Sequence, residues 1–286
     1  REALAMASLA AVKWRQGKAD EAEQSFRTIL ALQRQSSGAS VPTREMAWTM
    51  NNLAELLRNK GAIGEAESLM RSALEIQRKL QGDTHPDVVA GMGNLALILQ
   101  SNGDLEGAET IFRGLVEVSR KSSREARPDI DIDLLNLANV MNDRGNSASA
   151  EPLAREALAI CRARVPQSHP QLGFPLLLLG RILTENDRAA EAEPMLREAV
   201  ANWSSSLPPG DWKIAQAQSA LGGCLTKLSR FTDAEPLLLG AFPQIQAILG
   251  DSHLRTRQAA QRLADLYKAM GNTAKAAEYE ALTRTK

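Results

Sequence analysis

Three histidines, two cysteines and three evenly spaced asparagines are the side chains of this 286-residue sequence that first invite a chemical reading. His85, His169 and His253 each stand 84 residues apart. A metal site needs its ligands to converge on one ion. A histidine-based nucleophilic site needs the base within hydrogen-bond reach of its Ser or Cys. Equal spacing points instead to equivalent loops of a repeating structure, roughly 20 Å apart if two stacked helix pairs separate them, so no metal and no catalytic residue is expected. Cys161 and Cys224 fall at helical interior positions, where a free thiol behaves as a small hydrophobe. Two cysteines cannot make a disulfide framework, so a reducing, cytoplasmic setting is expected. Asn52, Asn94 and Asn136 stand 42 residues apart. An amide offers both donor and acceptor, so such a row suits the backbone of an extended ligand. The same amides suit bonds to their own helix or to a neighbouring unit, and both readings stay open.

Composition removes several function classes. Lys plus Arg is 34 and Asp plus Glu is 34, so the formal charge is zero. Affinity for phosphate backbones comes from a cationic surplus, so nucleic acid is not the expected partner. Aromatics are 4%, too few for sugar platforms or base-stacking surfaces. That counts against a closed helical toroid that cuts glycosidic bonds with paired carboxylates. No run of about 18 apolar residues occurs, so no membrane span is expected. Gly91-Met92-Gly93 lacks the preceding strand and third glycine of a dinucleotide fingerprint, and no cofactor is expected. The alanine-rich opening, residues 1–11, fits the repeat below better than a signal peptide. A start at Arg1 rather than Met reads as a piece of something longer.

The elements that position these residues follow from a period. An Ala column runs through positions 22, 66, 108, 150, 192, 234 and 276, followed by Glu in all but the last. A second column pairs Leu with a small residue at Leu9-Ala10, Leu53-Ala54, Leu95-Ala96, Leu137-Ala138, Leu179-Gly180, Leu221-Gly222 and Leu263-Ala264. Both columns step by 44 once and by 42 thereafter. Self-similarity at such a period is the mark of stacked supersecondary units. Seven units occupy nearly the whole chain, approximately 1–43, 44–85, 86–127, 128–169, 170–211, 212–253 and 254–286. A single domain over 1–286 is expected.

Each unit reads as two helices. In 87–102, Val88, Met92, Leu95, Ala96 and Leu99 fall at helical spacing, and Gly103 follows where a C-cap glycine belongs. In 105–120, Leu105, Ala108, Ile111, Phe112, Leu115 and Val116 repeat the pattern. Glu109 suits the positive end of that second helix. Pro152, Pro194 and Pro236 are tolerated in a first turn, which places second-helix starts just before them. Linkers recur as Gly82-Asp83-Thr84-His85-Pro86, Arg127-Pro128, Ser168-His169-Pro170 and Gly250-Asp251-Ser252-His253. Asp187 and Ser229 replace the turn glycine. Gly222-Gly223 lies inside a helix and is expected to weaken its unit. The small columns let helices approach, and each pair needs its neighbours to cover its apolar faces. The expected fold is all-α, a right-handed α-solenoid of about seven helix-turn-helix repeats and about fourteen helices, with the last helix, 274–286, short and polar like a cap.

Asn51-Asn52-Leu53-Ala54, Gly61, Glu65-Ala66-Glu67, Arg71, Ala73-Leu74-Glu75-Ile76 and Gly82-Asp83-Thr84-His85-Pro86 resemble the tetratricopeptide repeat family in its long, kinesin-light-chain-like form. The resemblance implies a non-catalytic scaffold that binds a protein or peptide in a concave groove lined by first helices. It implies that Asn52, Asn94 and Asn136 face that groove. The column then turns to Leu178, Ala220 and Arg262, so a site built on the asparagines lies in the N-terminal half. Further along the same face stand Glu55, Asn59, Asn139, Asp143, Arg181, Glu185 and Lys227. This mixed set fits a peptide with one or two basic residues, or a merely solvated face. Trp48 and its counterpart Phe174 suit either a ligand anchor or helix packing, while Trp14, Trp203 and Trp212 read as structural. The segment from Gly250 to Tyr279 resembles the C-terminal tails of bacterial serine/threonine kinases. That implies an alternative, a regulatory module of a larger signalling enzyme. No feature bears on oligomeric state.

Overall fold

The computed structural model describes residues 2–36, 42–121, 129–251 and 253–284. Among them are fourteen α-helices and no strand. The chain divides into two compact units, Arg1–Pro128 and Asp129–Lys286. The first holds α1 (Glu2–Arg15), α2 (Ala19–Ser36), α3 (Arg44–Asn59), α4 (Ile63–Gln81), α5 (Pro86–Asn102) and α6 (Leu105–Lys121). The second holds α7 (Ile130–Asp143), α8 (Ser147–Arg164), α9 (Gly173–Glu185), α10 (Ala189–Ser206), α11 (Trp212–Lys227), α12 (Phe231–Leu249), α13 (Leu254–Ala269) and α14 (Thr273–Thr283), with a 3₁₀ turn at Pro170–Leu172 before α9. Odd-numbered helices are the first helices of the pairs expected from the period. The linker Arg127-Pro128 and Ser252 lie outside the described residues.

Within each unit the packing repeats. A first helix lies on its own second helix, and that second helix also lies on the next first helix: α2 on α3, α4 on α5, α8 on α9, α10 on α11 and α12 on α13. First helices also touch along the stack, α1–α3–α5 in one unit and α7–α9–α11–α13 in the other. The contribution of the preceding second helix shows in one column. Leu56, Ile98, Ile182, Cys224 and Leu266 are fully buried, whereas Val12, on a helix that follows no other among the described residues, is 37% exposed. Within each unit, after its first pair, the helices that carry these residues lie against the preceding second helix, as nearest-neighbour stabilisation of repeats requires.

Local chemistry explains the boundaries. Gly61, Gly103, Gly145 and Gly271 take positive φ at the turn between the helices of a pair, and Asp187 and Ser229 adopt the same left-handed conformation at φ 57° and 59° despite their side chains. The three histidines are N-caps. The Nδ1 atoms of His85, His169 and His253 accept hydrogen bonds from the backbone N–H groups of Asp87, Gln171 and Arg255 at 3.1, 3.2 and 3.1 Å. Asp211 and Thr43 do the same in their units, accepting from Lys213 and Met46. Pro86 and Pro170 follow directly, at the first helical position, where a missing N–H costs nothing.

Two expectations need correction. The second helices begin at Ser147, Ala189 and Phe231, not just before the prolines, so Pro152, Pro194 and Pro236 sit in the second turn. Each removes a bond to the carbonyl four residues back. Those carbonyls belong to Ala148, Ala190 and Thr232, which are exposed, so water can satisfy them. The glycines of α9 and α11 do more than weaken a helix. A Cβ on Gly180 would come within 2.5 Å of Leu196, and one on Gly222 within 2.6 Å of Leu238.

Two measurements check these assignments. Gly180→Ala should lower stability by about 1–3 kcal/mol in denaturant unfolding, as overpacking does, and no loss would remove the close-approach assignment. His169→Ala should cost about 1 kcal/mol, while His169→Asp should retain most of the cap. Equal losses for both would show that the imidazole does something other than cap.

Candidate functional site

The faces of the first helices that look away from their second helices carry the asparagines. Asn52, on α3, donates from Nδ2 to the carbonyl of Trp48 at 2.8 Å, a bond within its own helix. Asn94, on α5, donates from Nδ2 to Asn51 Oδ1 at 3.3 Å, a bond to the preceding first helix. Asn136, on α7, is half-buried, and its amide makes no side-chain hydrogen bond among the described residues. Three chemically identical side chains in one column therefore have three different states. In the first unit Trp48 is half-buried. Glu55 lies near Arg58, whose pKa burial pulls down and the Glu55 carboxylate pushes back up. Asn59 is exposed at the end of α3.

The second unit concentrates charge on this face. Arg181, on α9, is 9% exposed, and its guanidinium reaches back to α7, donating to Asn139 Oδ1 at 3.5 Å and Asp143 Oδ1 at 3.4 Å. Asn139, Asp143 and Arg181 thus form one cluster. Glu185 is exposed and accepts from the Ser147 hydroxyl at 3.2 Å. Lys227 is exposed and reaches Asp187 at 3.1 Å, away from that cluster. Phe174 meets the Trp203 ring edge-on at 5.2 Å between centroids. Trp203 is buried, donates from Nε1 to the carbonyl of Pro170 at 2.8 Å, and lies where a Cβ on Gly173 would collide with it. Phe174 is therefore engaged in packing. Leu178 and Ala220 are buried, so the column is apolar through α9 and α11.

Arg262, read from the sequence only as the place where the asparagine column ends, is the feature that spacing missed. Its Nη1 donates to Ser219 Oγ at 3.2 Å, and its side chain lies on α11 where Gly223 leaves room. Burial pulls its pKa down to about 10, with the repulsion of Arg181 adding to the effect and Glu185 and Asp265 opposing it. The signal was present as a cation in a column of amides, but its neighbours could not be read from one helix.

The period also carries a chemical seam in its second helices. The Glu that follows the Ala column accepts from the turn or first helix of the next pair. Lys60 reaches Glu23 at 2.5 Å, Asn102 reaches Glu67 at 3.2 Å, Arg188 reaches Glu151 at 2.7 Å, Arg230 reaches Glu193 at 2.8 Å, and the Tyr267 hydroxyl reaches Glu235 at 2.9 Å. A charge at the helix start, the role expected for Glu109, is the lesser part of this. Glu109 itself is 6% exposed and is held by Arg113 at 2.6 Å.

Cations on both sides hold Glu23, Glu151 and Glu193 low. Lys60, then Arg27, keeps Glu23 below the usual range. Burial opposes the effect at Glu151, but Arg155 and Arg188 together outweigh it. Both thiols are shifted upward by burial, which makes Cys161 and Cys224 poor nucleophiles. Among the described residues no group of three His, Cys, Asp or Glu side chains is placed to hold a metal ion, and no helix is long and apolar enough to cross a membrane.

The carboxylate seam predicts an acid limit. A folded-state pKa below the unfolded value of about 4.5 gives stability that is present above that pH and is lost as pH falls through the lowered folded value. The urea midpoint should hold between pH 7 and 5.5 and drop below about 4.5. Glu151→Gln should lower it at pH 7 and make the acid drop shallower. An unchanged acid profile would show that the seam contributes nothing to pH dependence.

The comparisons with known proteins follow the same outline. The tetratricopeptide repeat model matches residues 45–121, 129–205 and 213–282, and a second tetratricopeptide repeat model matches 3–40. No curated protein matches the chain. A putative kinesin light chain with nearly identical TPR-like repeats from Podosopora anserina aligns at TM-score 0.58 and 23% identity, over 73% of this chain and 97% of that one. The apo form of RapI aligns at TM-score 0.76 and 16% identity, over 99% and 96%. The Rap conjugation gene regulator of plasmid pLS20, solved in complex with the Phr* peptide, aligns at TM-score 0.66 and 13% identity, over 96% and 70%. At these identities the structures share the fold, while the repeat models cover most of the sequence, and on that ground the chain belongs to the tetratricopeptide repeat family.

Proposed function

We propose that this protein is a non-catalytic interaction scaffold whose first-helix faces bind an extended peptide of a partner protein. The observation that carries the reading is the half-buried amide of Asn136, which has no side-chain partner among the described residues beside a cluster in which Asn139 and Asp143 are already engaged. A free amide at that position can accept a backbone N–H and donate to a backbone C=O at once. Asn94 can do the same after giving up a single long bond to Asn51. Asn52 contributes less, because its donor is spent on Trp48. The pLS20 Rap regulator, a structural neighbour, is itself known in a peptide complex, which supports the use of this fold for peptide capture. A scaffold also accounts for why the chain's ionisable groups are spent on capping, clasping and lateral bonds.

The test is titration calorimetry with a peptide selected on the purified protein from a random library. Asn136→Ala should weaken binding by up to about tenfold, the worth of one net hydrogen bond. Asn52→Ala should change affinity far less. Equal affinities for wild type and Asn136→Ala would overturn the role given to the amide column.

A further inference from the structure

We propose that the second-helix side of the first unit, at α4 and α6, seats a helix of a partner protein that presents two carboxylates seven residues apart. This surface stands apart from the first-helix faces and does not depend on peptide capture there.

Neighbouring second helices are joined by rungs from Arg to Glu. Arg27 on α2 donates from both Nη atoms to the Glu65 carboxylate on α4, at 2.6 and 2.8 Å. At the same repeat position Arg155 on α8 donates to Glu191 on α10. Seven residues further along both of those helices, Arg162 donates to Glu198 at 2.6 Å. The pair α8 and α10 thus has two rungs. The pair α2 and α4 has one, because Ser72 stands where the second acid would be. Between α4 and α6 both cations are kept, as Arg71 and Arg78, and both acids are lost, to Gly107 and Gly114. Arg27 and Arg155 each bond a Glu of their own helix as well as one of the next second helix. Among the described residues Arg71 has the Glu67 of its own helix alone, and Arg78 reaches Asp83 alone, at 3.3 Å.

The lost acids leave room. Gly107 gives space to Asp104, which accepts from its N–H at 2.9 Å, but a Cβ on Gly114 would meet nothing within 4 Å. A cavity of about 350 Å³ opens beside α4, lined by Arg71, Leu74, Glu75, Arg78, Lys79 and Leu95. Leu74 and the buried Leu95 of α5 give it an apolar floor, and α5 packs on both α4 and α6. The acid in the lining, Glu75, is held by Lys79 at 2.7 Å. Arg71 and Arg78 lie about 10.5 Å apart along the axis of α4, at 1.5 Å per residue. Glu191 and Glu198 have the same spacing on α10. A partner helix with Asp or Glu at i and i+7 shows both on one face at that distance, and each carboxylate matches the fork of one guanidinium. An apolar side chain between them meets Leu74 and Leu95. This chain's own Glu191 and Glu198 are committed to Arg155 and Arg162, so the acids come from another protein.

The experiment is selection on the whole chain from a displayed library of helical peptides with one face randomised, followed by affinities of the enriched sequences as synthetic peptides. The enriched face should carry two acids seven residues apart, and changing either to Gln should weaken binding. Arg71→Gln and Arg78→Gln should each lose about fivefold, the upper worth of one exposed ion pair. Gly114→Glu supplies the protein's own acid where α10 has Glu198, so it should lose at least as much while its melting temperature is not lowered. Gly114→Gln, with nearly the same bulk and no charge, should keep the affinity. Equal losses for Gly114→Glu and Gly114→Gln would trace the effect to bulk and overturn the carboxylate site. Binders without the acid pair, or indifferent to Arg78→Gln and Gly114→Glu, would overturn it and leave peptide capture on the first helices untouched. A library that yields no binder would overturn it as well.

Discussion

Where α9 crosses α10, a methyl group on Gly180 would stand 2.5 Å from Leu196, and where α11 crosses α12 one on Gly222 would stand 2.6 Å from Leu238. In the other pairs the same column holds Ala10, Ala54, Ala96, Ala138 and Ala264, each buried. Axial distance between packed helices is set by the side chains at the crossing. The small column thus fixes how close the two helices of every pair lie. The rest of the packing follows from that distance. Only with the pair held close can its second helix also reach the next first helix and bury Leu56, Ile98, Ile182, Cys224 and Leu266. Burial of such side chains is worth about 1.5–3 kcal/mol each, so the stack is held by a term that no single pair can supply alone.

The polar seam works on top of that packing. An exposed ion pair contributes about 0–1 kcal/mol, and most ion pairs here are of that kind. The Glu column differs because its members are partly sheltered: the Glu23, Glu151 and Glu193 side chains are 19%, 15% and 18% exposed, and each meets both an Arg four residues on and a cation from the next pair. Two cations on one sheltered carboxylate set register as well as energy. A slipped pair would leave that carboxylate desolvated and unpaired, which costs more than the bond is worth.

Much of this was legible in the sequence for a physical reason. Spacing records which residues share a helix face, so the two small columns gave the helix pairs and the turns within them directly. What spacing does not record is the direction in which a polar side chain bonds. His85, His169 and His253 were placed correctly in loops, but the cap is a bond to the backbone two residues on, and the column Thr43, His85, His169, Asp211, His253 was its only trace. The prolines misled because a first-turn position is the commoner place for proline, whereas here an exposed helix surface tolerates one a turn later. The asparagine column left two readings open because its uniformity hides the partners. Identical residues at identical positions bond to their own helix, to the neighbouring helix, or to nothing, because the partner is chosen by what the adjacent unit happens to present: Asn51 beside Asn94, and no acceptor among the described residues for Asn136.

The candidate binding face is what remains of a first helix once its other obligations are met. One side faces its own second helix through the small column, and another faces the preceding second helix through the Leu and Ile column. The remaining side carries the residues that bond laterally to the preceding first helix: Asn94 to Asn51, Arg181 to Asn139 and Asp143, Arg262 to Ser219. These lateral bonds are 3.2–3.5 Å long, whereas the clasps of the Glu column include bonds of 2.5–2.8 Å. A net hydrogen bond is worth only about 0.5–1.5 kcal/mol, and a long one less. A ligand that replaces the neutral-partner bonds of Asn94 and Arg262 therefore gives up little protein–protein stabilisation, while one that displaced a Glu clasp, or the Arg181–Asp143 pair whose side chains are 9% exposed, would strip a sheltered carboxylate of its cation. Within each unit the bonds cheapest to release, those to neutral partners, lie on the side of the first helices that bonds laterally, and that is the physical argument for the proposed recognition there.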